Sequence, residues 1–403
     1  MSEWKKVKLK DCCLSISDGD HLPPPKSNCG IPFITISNID STNHIDFGNT
    51  LFVPIDYYEK LDSIRKPQKD DLLYSVVGSF GKPVLIKENK NFVFQRHIAI
   101  LRPNNEIADS RFLYYVMLTR DFYMQADSVA IGAAQRTVSL TSLRNMTVEL
   151  PSLSIQHRIA IILSRYDSLI ENYQKQIKLL EEAAQRLYKE WFVDLHFPGH
   201  ENTKIVDGVP EGWEKKRIGD IVKTTSGGTP SRSNSDYYLG NIMWVKTKEL
   251  MDGFIFDTEE KITQEAINKS SAKIVPEASI LLAMYGATIG KLGIASKELS
   301  CNQACCVLLL SKDNPLRWFL FNWLLLNREF LISQGKGAAQ PNLSQDMIKK
   351  FELVVPDDNT LLSYHQIVNV LYMRSKYLQS QIRLLTEARD RLLPKLMSGE
   401  IAV

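Results

Sequence analysis

Long hydrophobic runs are missing from this sequence. The longest apolar stretch, residues 318–326, is interrupted by Asn322 and is far too short to cross a lipid bilayer. The sequence begins Met1-Ser-Glu-Trp-Lys-Lys6, and no apolar segment with a cleavage site follows these residues. We therefore expect a cytoplasmic protein that has no membrane partner.

Cysteine is scarce, and its spacing suits neither a metal site nor a disulfide framework. The chain has six cysteines, four of which form the adjacent pairs Cys12–Cys13 and Cys305–Cys306, and it has no Cys-x-x-Cys pair. Adjacent cysteines rarely fit a disulfide framework. We expect reduced thiols, most of them serving as small core residues.

Signatures of catalysis and of nucleotide binding are absent as well. Residues 286–291 resemble a phosphate-binding loop, but only three residues separate the glycines where four are needed. Leu292 also stands where such a loop has Ser or Thr. There is no dinucleotide fingerprint, no His-Glu-x-x-His and no metal-ligand spacing of Cys and His. The sequence predicts a chain that is not an enzyme and carries no cofactor or metal.

A strong excess of one charge is lacking too. The 49 basic residues nearly balance the 46 acidic ones, which leaves a net charge of +3. This balance argues neither for nor against nucleic acid as a partner, so local basic clusters must decide.

An internal repeat is the main feature that the sequence does contain. Its segments recur in the same order at an offset between 205 and 211 residues. Insertions in loops explain why the offset varies. The matching segments are 4–11 with 213–220, 31–34 with 242–245, 78–86 with 286–294, 95–100 with 303–308, 120–122 with 328–330, and 132–135 with 337–340. The repeat predicts two related globular modules, each followed by a helix.

Two long helices are predicted from apolar residues that recur every three or four positions, a pattern that packs one helix against another. Each helix follows a proline, Pro151 or Pro356, and precedes a glycine, Gly199 or Gly399. We call the line of apolar residues along each helix its seam. Ser375 and Arg389 interrupt the seam of the second helix and weaken it. The residues predicted to pair the helices are Leu163, Tyr166, Ile170, Tyr173, Ile177, Leu180, Leu187, Val368, Leu371, Leu378, Ile382, Leu385 and Leu392.

The seams match in length, which favours an antiparallel pair within one chain, with the modules related by a pseudo-two-fold axis. A coiled coil that joins two copies of the chain is the alternative. The predicted fold class is α+β: two repeated α/β recognition domains separated by two long antiparallel coiled-coil helices. The predicted domains are residues 1–150, a helical spacer at 151–198, residues 199–355, and a C-terminal spacer at 356–403.

Within the modules, apolar runs predict short strands and an amphipathic helix in each. The predicted strands are 32–36, 71–77, 84–86 and 97–101 in the first module, and 280–284 and 306–310 in the second. The predicted helices are 111–125 and 316–333.

Polar and basic loops separate these elements. Arg, Lys, Gln, Asn and Ser are the side chains that read base edges and hold phosphates, although solvated loops explain any single residue as well. The candidate DNA-binding residues are Lys26, Lys82, Gln95, Arg96, Gln135, Arg136, Thr229, Ser231, Arg232, Lys246, Lys248, Lys291, Lys336, Gln340 and Asn342. The modules differ most in these loops, as expected if each reads a different DNA sequence.

Taken together, these features resemble the specificity (S) subunit of Type I restriction–modification systems. The resemblance covers essentially the whole chain. Its motifs are Trp213 after 210–212, the Ser-Gly-Gly-Thr-Pro-Ser loop at 226–231, the helical segments 162–172 and 189–193, and residues 396–401. The first module departs from the family pattern, since His21-Leu-Pro-Pro-Pro25 replaces the Gly-Gly-Thr-Pro loop.

The resemblance implies two target recognition domains that read the halves of a bipartite, asymmetric site in double-stranded DNA. The helices would set the gap between the halves and dock two methyltransferase (M) subunits, and two restriction (R) subunits would complete the complex. S-adenosylmethionine, ATP and Mg²⁺ would act on those partners, with no catalytic residue here. A self-contained DNA-modifying enzyme and a coiled-coil scaffold without a DNA role are the rival hypotheses.

Overall fold

The computed structural model describes residues 4–20, 24–40, 42–133, 135–335 and 342–403. The chain forms two compact units. The first comprises Met1–Ile170 with Leu384–Val403, and the second comprises Glu171–Arg383. Each unit contains one of the two sequence repeats. The finer division into four segments stays a prediction.

The first repeat is a mixed module of short strands and helices that leads into a forty-residue helix. Its strands are β1 (Lys5–Lys8), β2 (Cys13–Asp18), β3 (Ile31–Ile34), β4 (Leu51–Val53), β5 (Leu72–Ser75), β6 (Pro83–Leu85), β7 (Val93–Phe94), β8 (Ile98–Pro103) and β9 (Thr147–Leu150). Its helices are α1 (Ile55–Lys60), α2 (Ser110–Met117), α3 (Arg120–Val129), α4 (Leu140–Asn145) and α5 (Leu153–Phe192).

The second repeat contains a similar series of elements. Its strands are β10 (Ile205–Val206), β11 (Val209–Pro210), β12 (Glu214–Arg217), β13 (Thr224–Ser226), β14 (Ile242–Val245), β15 (Gly253–Ile255), β16 (Lys261–Ile262), β17 (Ile280–Ala283), β18 (Leu292–Ala295), β19 (Ser300–Cys301), β20 (Cys305–Leu308) and β21 (Glu352–Val355). Its helices are α6 (Ile218–Ile221), α7 (Gln264–Asn268), α8 (Leu316–Leu326), α9 (Arg328–Ser333), α10 (Gln345–Lys350) and α11 (Asp358–Met397).

Strand order repeats from one module to the other. The larger sheet runs β2-β8-β5-β6 in the first module and β13-β20-β17-β18 in the second, where β15 adds a parallel edge strand. The smaller sheet runs β4-β3-β7 and β16-β14-β19, and each module closes with an antiparallel pair, β1-β9 or β12-β21. The predicted duplication is therefore present in the fold.

The larger sheet of the first module buries both of its faces. Leu72 and Tyr74 of β5 share a core cluster with Phe112 of α2, whereas Leu73 belongs to a second cluster with Ile34 of β3. Successive side chains of a strand point to opposite faces, so this alternation places the sheet between the helices and the smaller sheet.

The second module is built in the same way. Ile280 and Leu282 of β17 share a cluster with Trp318 of α8, and Leu281 lies with Val245 of β14 in another. Strands predicted from apolar runs at 71–77, 97–101, 280–284 and 306–310 correspond to β5, β8, β17 and β20.

Individual backbone contacts also repeat. The Gln95 amide donates to the Ile34 carbonyl at 2.9 Å, and the Asn302 amide donates to the Val245 carbonyl at the same distance. Gly19 and Gly227 follow the first strand of each larger sheet, and a Cβ on either would lie 2.2 or 2.1 Å from a backbone oxygen. Only glycine fits there, so the same turn is enforced twice.

The prediction of one continuous helix in each module is wrong. In the first module the helix ends at Met117, and the Thr119 hydroxyl then accepts a hydrogen bond from the Phe122 amide to start α3. Threonine caps helix N-termini in this way. In the second module, Asn327 separates α8 from α9.

The long helices α5 and α11 carry the predicted seams. In the first unit, Leu163 of α5 and Leu393 of α11 belong to one core cluster, and in the second unit Ala184 and Val368 do so. All thirteen predicted seam residues are buried or half-buried.

The two polar residues of the seam have partners on the opposite helix, and the weakening of the seam stays a prediction. In the first unit, Arg389 of α11 forms an ion pair with Asp167 of α5 at 2.7 Å. In the second unit, the fully buried Ser375 of α11 donates to Glu181 of α5 at 2.9 Å. Each polar group finds a partner on the other helix, so neither leaves a buried group unsatisfied.

The six cysteines are all free thiols. Cys12, Cys301, Cys305 and Cys306 are buried, which confirms the prediction that most of them act as small core residues.

Candidate functional site

The loop that follows β13 in the second module is fixed by aromatic side chains. The indole Nε1 of Trp244 donates to the Gly228 carbonyl at 3.0 Å, and the Tyr238 hydroxyl donates to the Pro230 carbonyl at 2.7 Å. Trp244 is buried in strand β14. The candidate residues Thr229, Ser231 and Arg232 therefore lie on a loop that the folded module holds in place.

Arg232 lies over these two aromatic rings. Its guanidinium carbon is 4.1 Å from the ring centroid of Tyr238 and 5.2 Å from that of Trp244. Its Nη2 also forms an ion pair with Glu260 at 2.7 Å. Cation–π contact and ion pairing together hold this arginine in one orientation.

Glu259 and Glu260 bring Arg232 together with two further candidates. The Nζ of Lys246 lies 2.6 Å from Glu260 and 3.3 Å from Glu259, and Lys248 also pairs with Glu259. The hydrogen bond to Glu260 raises the pKa of Lys246. Burial opposes ionisation of Glu260, but Lys246 and Arg232 outweigh it and lower its pKa. We refer to Arg232, Lys246, Lys248, Glu259 and Glu260 as the ion-pair cluster.

Lys291 is held at a different carboxylate. Its Nζ lies 2.8 Å from Asp252, which also pairs with Arg328 and accepts from the Leu292 amide at 3.0 Å. Gly286 and Gly290 of the preceding loop have positive φ angles of 84° and 78°. The Lys291 side chain thus supports the turn into β18 and is engaged in an ion pair.

Three further candidates of the second module lie on its surface. Thr229 hydrogen-bonds to Gln303, and the Ser231 hydroxyl lies 2.8 Å from that of Ser233. Asn342 is exposed. Lys336 and Gln340 lie outside the described residues.

In the first module, two of the candidate loops meet. The Gly78 amide donates to the Arg136 carbonyl at 2.9 Å, which joins the loop that carries Lys82 to the loop that carries Gln135. Arg136 is exposed, pairs with Asp127, and lies 5.6 Å from the ring of Phe80. Gln135 is exposed, and Lys82 is half-buried.

A third candidate loop of this module meets the loop after β2, because Asp20 forms a backbone bridge with Gln95. The Asp20 carboxylate also accepts from the Tyr57 hydroxyl at 3.0 Å and lies 3.5 Å from Arg65. Arg96 and Lys26 are exposed on these loops.

Sequence reasoning missed the residues that orient the candidates: Tyr238, Trp244, Glu259 and Glu260 in the second module, and Asp20, Tyr57 and Arg65 in the first. The two adjacent acidic residues at 259 and 260 were the feature of the sequence that could have indicated partners for the candidate cations. The pairing of Glu260 with Arg232 spans some thirty residues and depends on the fold.

Neither a metal site nor a membrane span is found in the part of the chain that the structure describes. No cluster of three His, Cys, Asp or Glu side chains could hold an ion there. None of its helices is long and apolar enough to cross a bilayer.

The duplicated module matches one protein family twice. The family model described as the Type I restriction modification DNA specificity domain matches residues 1–182 and again 210–387. This chain belongs to the family of Type I restriction–modification specificity subunits. As a member of that family it is a DNA-recognition subunit, and the two matches coincide with the two structural repeats.

Individual relatives agree with this assignment. The MjaIX specificity subunit of Methanocaldococcus jannaschii is 29% identical over 73% of this chain and 69% of its own length. The HindI specificity subunit of Haemophilus influenzae is 23% identical, with all of both chains covered. The crystal structure of an S subunit from M. genitalium has the same fold, with a TM-score of 0.62 and 16% identity over 98% of this chain and 96% of that one.

Proposed function

We propose that each module reads one half of a bipartite, asymmetric DNA site. The observation that carries this proposal is the repeated module, with one framework and two unlike sets of loops. The second module presents Arg232 on the loop that Trp244 and Tyr238 hold in place. The first module presents Arg96 and the two hydrogen-bonded loops around Arg136. Arg and Gln side chains recognise base edges, and lysines neutralise phosphates.

The long helices set the gap between the two half-sites. Asp167 precedes Glu181 on α5, but its partner Arg389 follows Ser375 on α11, and both contacts are separated by the same number of residues on each helix. This order supports an antiparallel coiled coil in one chain, with the modules related by a pseudo-two-fold axis. Forty residues give about 60 Å at roughly 1.5 Å per residue, comparable to about two turns of B-DNA.

The outer faces of the helices dock two M subunits. Leu179, Ile367, Val370, Tyr377 and Leu384 are exposed there and have apolar surface to cover. Patches of this kind mark interaction sites in soluble proteins. Two R subunits complete a cytoplasmic complex in which S-adenosylmethionine, ATP and Mg²⁺ act on the partners, and this chain is non-catalytic.

Exchange of residues 1–150 for the corresponding module of another family member tests this function. The chimera is co-expressed with the M subunits, and methylated adenines are mapped across the genome. One half of the methylated site is expected to change while the other half and the gap stay the same. A change in both halves would contradict the modular proposal.

The purified chain distinguishes the rival functions. Methyl transfer by the chain alone would favour a self-contained enzyme. Absence of DNA binding in a gel shift, even with M subunits present, would favour a scaffold. A dimer of chains in the absence of M subunits, measured by light scattering, would favour helices that pair between copies.

A further inference from the structure

Arg317, near the start of helix α8, is a buried cation. The residue is only 2% exposed to solvent. Its guanidinium lies 4.1 Å from the ring centroid of Trp318, and its Nη2 donates to the amide oxygen of Asn369 at 2.7 Å. Both of these partners are neutral.

The charge of Arg317 is therefore incompletely compensated. Across the described ranges no carboxylate forms an ion pair with Arg317, and its Nε is buried without a hydrogen-bond partner. Burial lowers the pKa of Arg317 to about 10, although Asp313 and Glu277 oppose this at longer range. An arginine remains charged at neutral pH even so, and a buried charge ordinarily requires a charged partner.

A cavity of about 270 Å³ lies beside Arg317. It is lined by three cations, Arg317, Lys312 and Lys376, by two carboxylates, Glu277 and Asp313, and by Asn369, together with apolar groups that include Phe254. A water molecule takes up about 30 Å³ of liquid, so the cavity can hold a small anion with several waters.

Two lysines at this cavity add positive charge. Lys312 and Lys376 lie 2.9 and 3.0 Å from the two oxygens of Glu277. Burial opposes ionisation of Glu277, but these lysines outweigh it and lower its pKa. Glu277 thus pairs with two cations, and three cations face two carboxylates at this cavity, with Arg317 in an ion pair with neither of them among the described residues. The side chain of Lys312 is 62% exposed and can turn toward a ligand.

The first module compensates its charges at the corresponding place. Arg111 is the second residue of helix α2, as Arg317 is the second residue of helix α8. Asp109 caps helix α2 and lies 3.5 Å from Arg111 and 3.4 Å from His157. The uncompensated cation belongs to the second module and is absent from the shared framework.

We propose that the Arg317 cavity binds an oxyanion, either a carboxylate or a phosphate group. Arg317 is the principal donor, Lys312 is the mobile second cation, and Asn369 keeps the guanidinium in place. A planar guanidinium with several donors matches both kinds of oxyanion. This site does not depend on the proposed reading of DNA.

Thermal unfolding of the full chain tests the proposal. The midpoint is measured in sodium phosphate, in sodium acetate and in sodium chloride of equal ionic strength. Phosphate or acetate is expected to raise the midpoint by about 2–4 °C over chloride, because a ligand that binds only the folded state stabilises it. Phosphate also stabilises folded proteins generally, because it is excluded from their surface. A shift with phosphate alone that the Arg317→Gln variant reduces therefore assigns a phosphate ligand, and such a shift with acetate assigns a carboxylate.

Variants locate the effect. Arg317→Gln and Lys312→Ala are expected to reduce the anion-dependent shift at least twofold, and Lys312→Ala changes only an exposed side chain. Lys269→Ala, which removes an exposed lysine paired with Glu265, is expected to keep the full shift. Arg96→Ala controls for phosphate bound at the first module. The proposal is overturned if neither anion exceeds chloride, or if Lys312→Ala retains the full shift.

Discussion

At the scale of single residues, the polar groups of the helix seams have the clearest physical role. Arg389 and Ser375 stand at positions where the sequence pattern calls for apolar side chains. The structure gives each of them a partner on the other helix, Asp167 or Glu181. A paired polar group in an apolar seam favours one register, because any other register leaves that group unsatisfied.

Removal of the Arg389 ion pair is expected to destabilise the fold. Arg389→Ala leaves the carboxylate of Asp167, only 17% exposed, without its cation. The free energy of unfolding should fall by about 1.5–3 kcal/mol, as measured by urea denaturation.

Arg391→Ala is the matched control on the same helix. Arg391 is exposed and pairs with Glu387, one turn away. Its loss should cost less than about 0.5 kcal/mol. Equal losses in the two variants would show that Arg389 acts only through helix propensity.

Glu181 predicts a pH dependence of stability. Burial raises its pKa, although the hydrogen bond from Ser375 opposes this. The folded state therefore binds a proton more readily than the unfolded chain. The favourable contribution is complete below the unfolded value of 4.5 and is lost as the pH rises through the folded value, so ionised Glu181 costs stability at neutral pH.

Glu181→Gln should therefore raise the free energy of unfolding at pH 7, since glutamine still accepts from Ser375. The gain should shrink as the pH falls toward 4, in denaturation curves recorded at each pH. The neighbouring Glu182 pairs with Lys178 and Arg186, and Glu182→Gln should show no such gain. A pH-independent effect of Glu181→Gln would contradict this account.

At the scale of elements, α5 and α11 contact each other through one polar pair in each of the two units. An insertion in one helix alone, between the two polar contacts, lets only one of Asp167 and Glu181 stay in register with its partner on α11. Insertions of equal length in both helices, between the two polar contacts, preserve both contacts. The contacts on the seam therefore specify how the proposed spacer can be lengthened.

A heptad inserted after Ser168, matched by one inserted after Ser380, is expected to lengthen the gap of the DNA site. Seven residues add about 10 Å at roughly 1.5 Å each, which is about three base pairs. Methylated adenines mapped in cells that carry the variant with its M subunits provide the measurement.

A variant with the heptad inserted after Ser168 alone is the control for the doubly extended variant. It should reduce stability, because the seam can satisfy only one of the two polar contacts. An unchanged gap in the doubly extended variant would rule out the helices as the spacer.

The elements also show where pattern reading succeeds. The two long helices, the duplicated strands and the start of α5 after Pro151 follow from local rules of periodicity and helix signals. The break between α2 and α3 was missed, because the apolar pattern continues through it while the Thr119 cap interrupts the backbone. A single hydroxyl decided that boundary.

At the scale of the whole molecule, a net charge of +3 hides how individual cations are engaged. Several candidate DNA-binding cations of the second module are paired: Arg232 and Lys246 with Glu260, and Lys291 with Asp252. Arg96 and Lys26 of the first module are exposed. Exposed cations can release counterions from DNA, whereas paired ones must first exchange partners.

Salt dependence of DNA binding is expected to separate these groups. Arg96→Ala should reduce the slope of log K against log salt by about 1, as measured on a DNA that contains the mapped site. Lys291→Ala should leave the slope nearly unchanged and lower the thermal midpoint, because Asp252 loses a partner. Equal slopes for wild type and Arg96→Ala would remove Arg96 from the phosphate contacts.

The sequence by itself determined the duplication, the mixed α and β character of the modules, the two helices and their apolar seams, since these depend on periodicity and on neighbours along the chain. Only the tertiary structure decided which charges are compensated. Arg232 meets Glu260, Arg389 meets Asp167, and Arg317 meets no carboxylate among the described residues. Ion pairing depends on distances of a few ångströms between residues far apart in the chain, and the fold alone sets those distances.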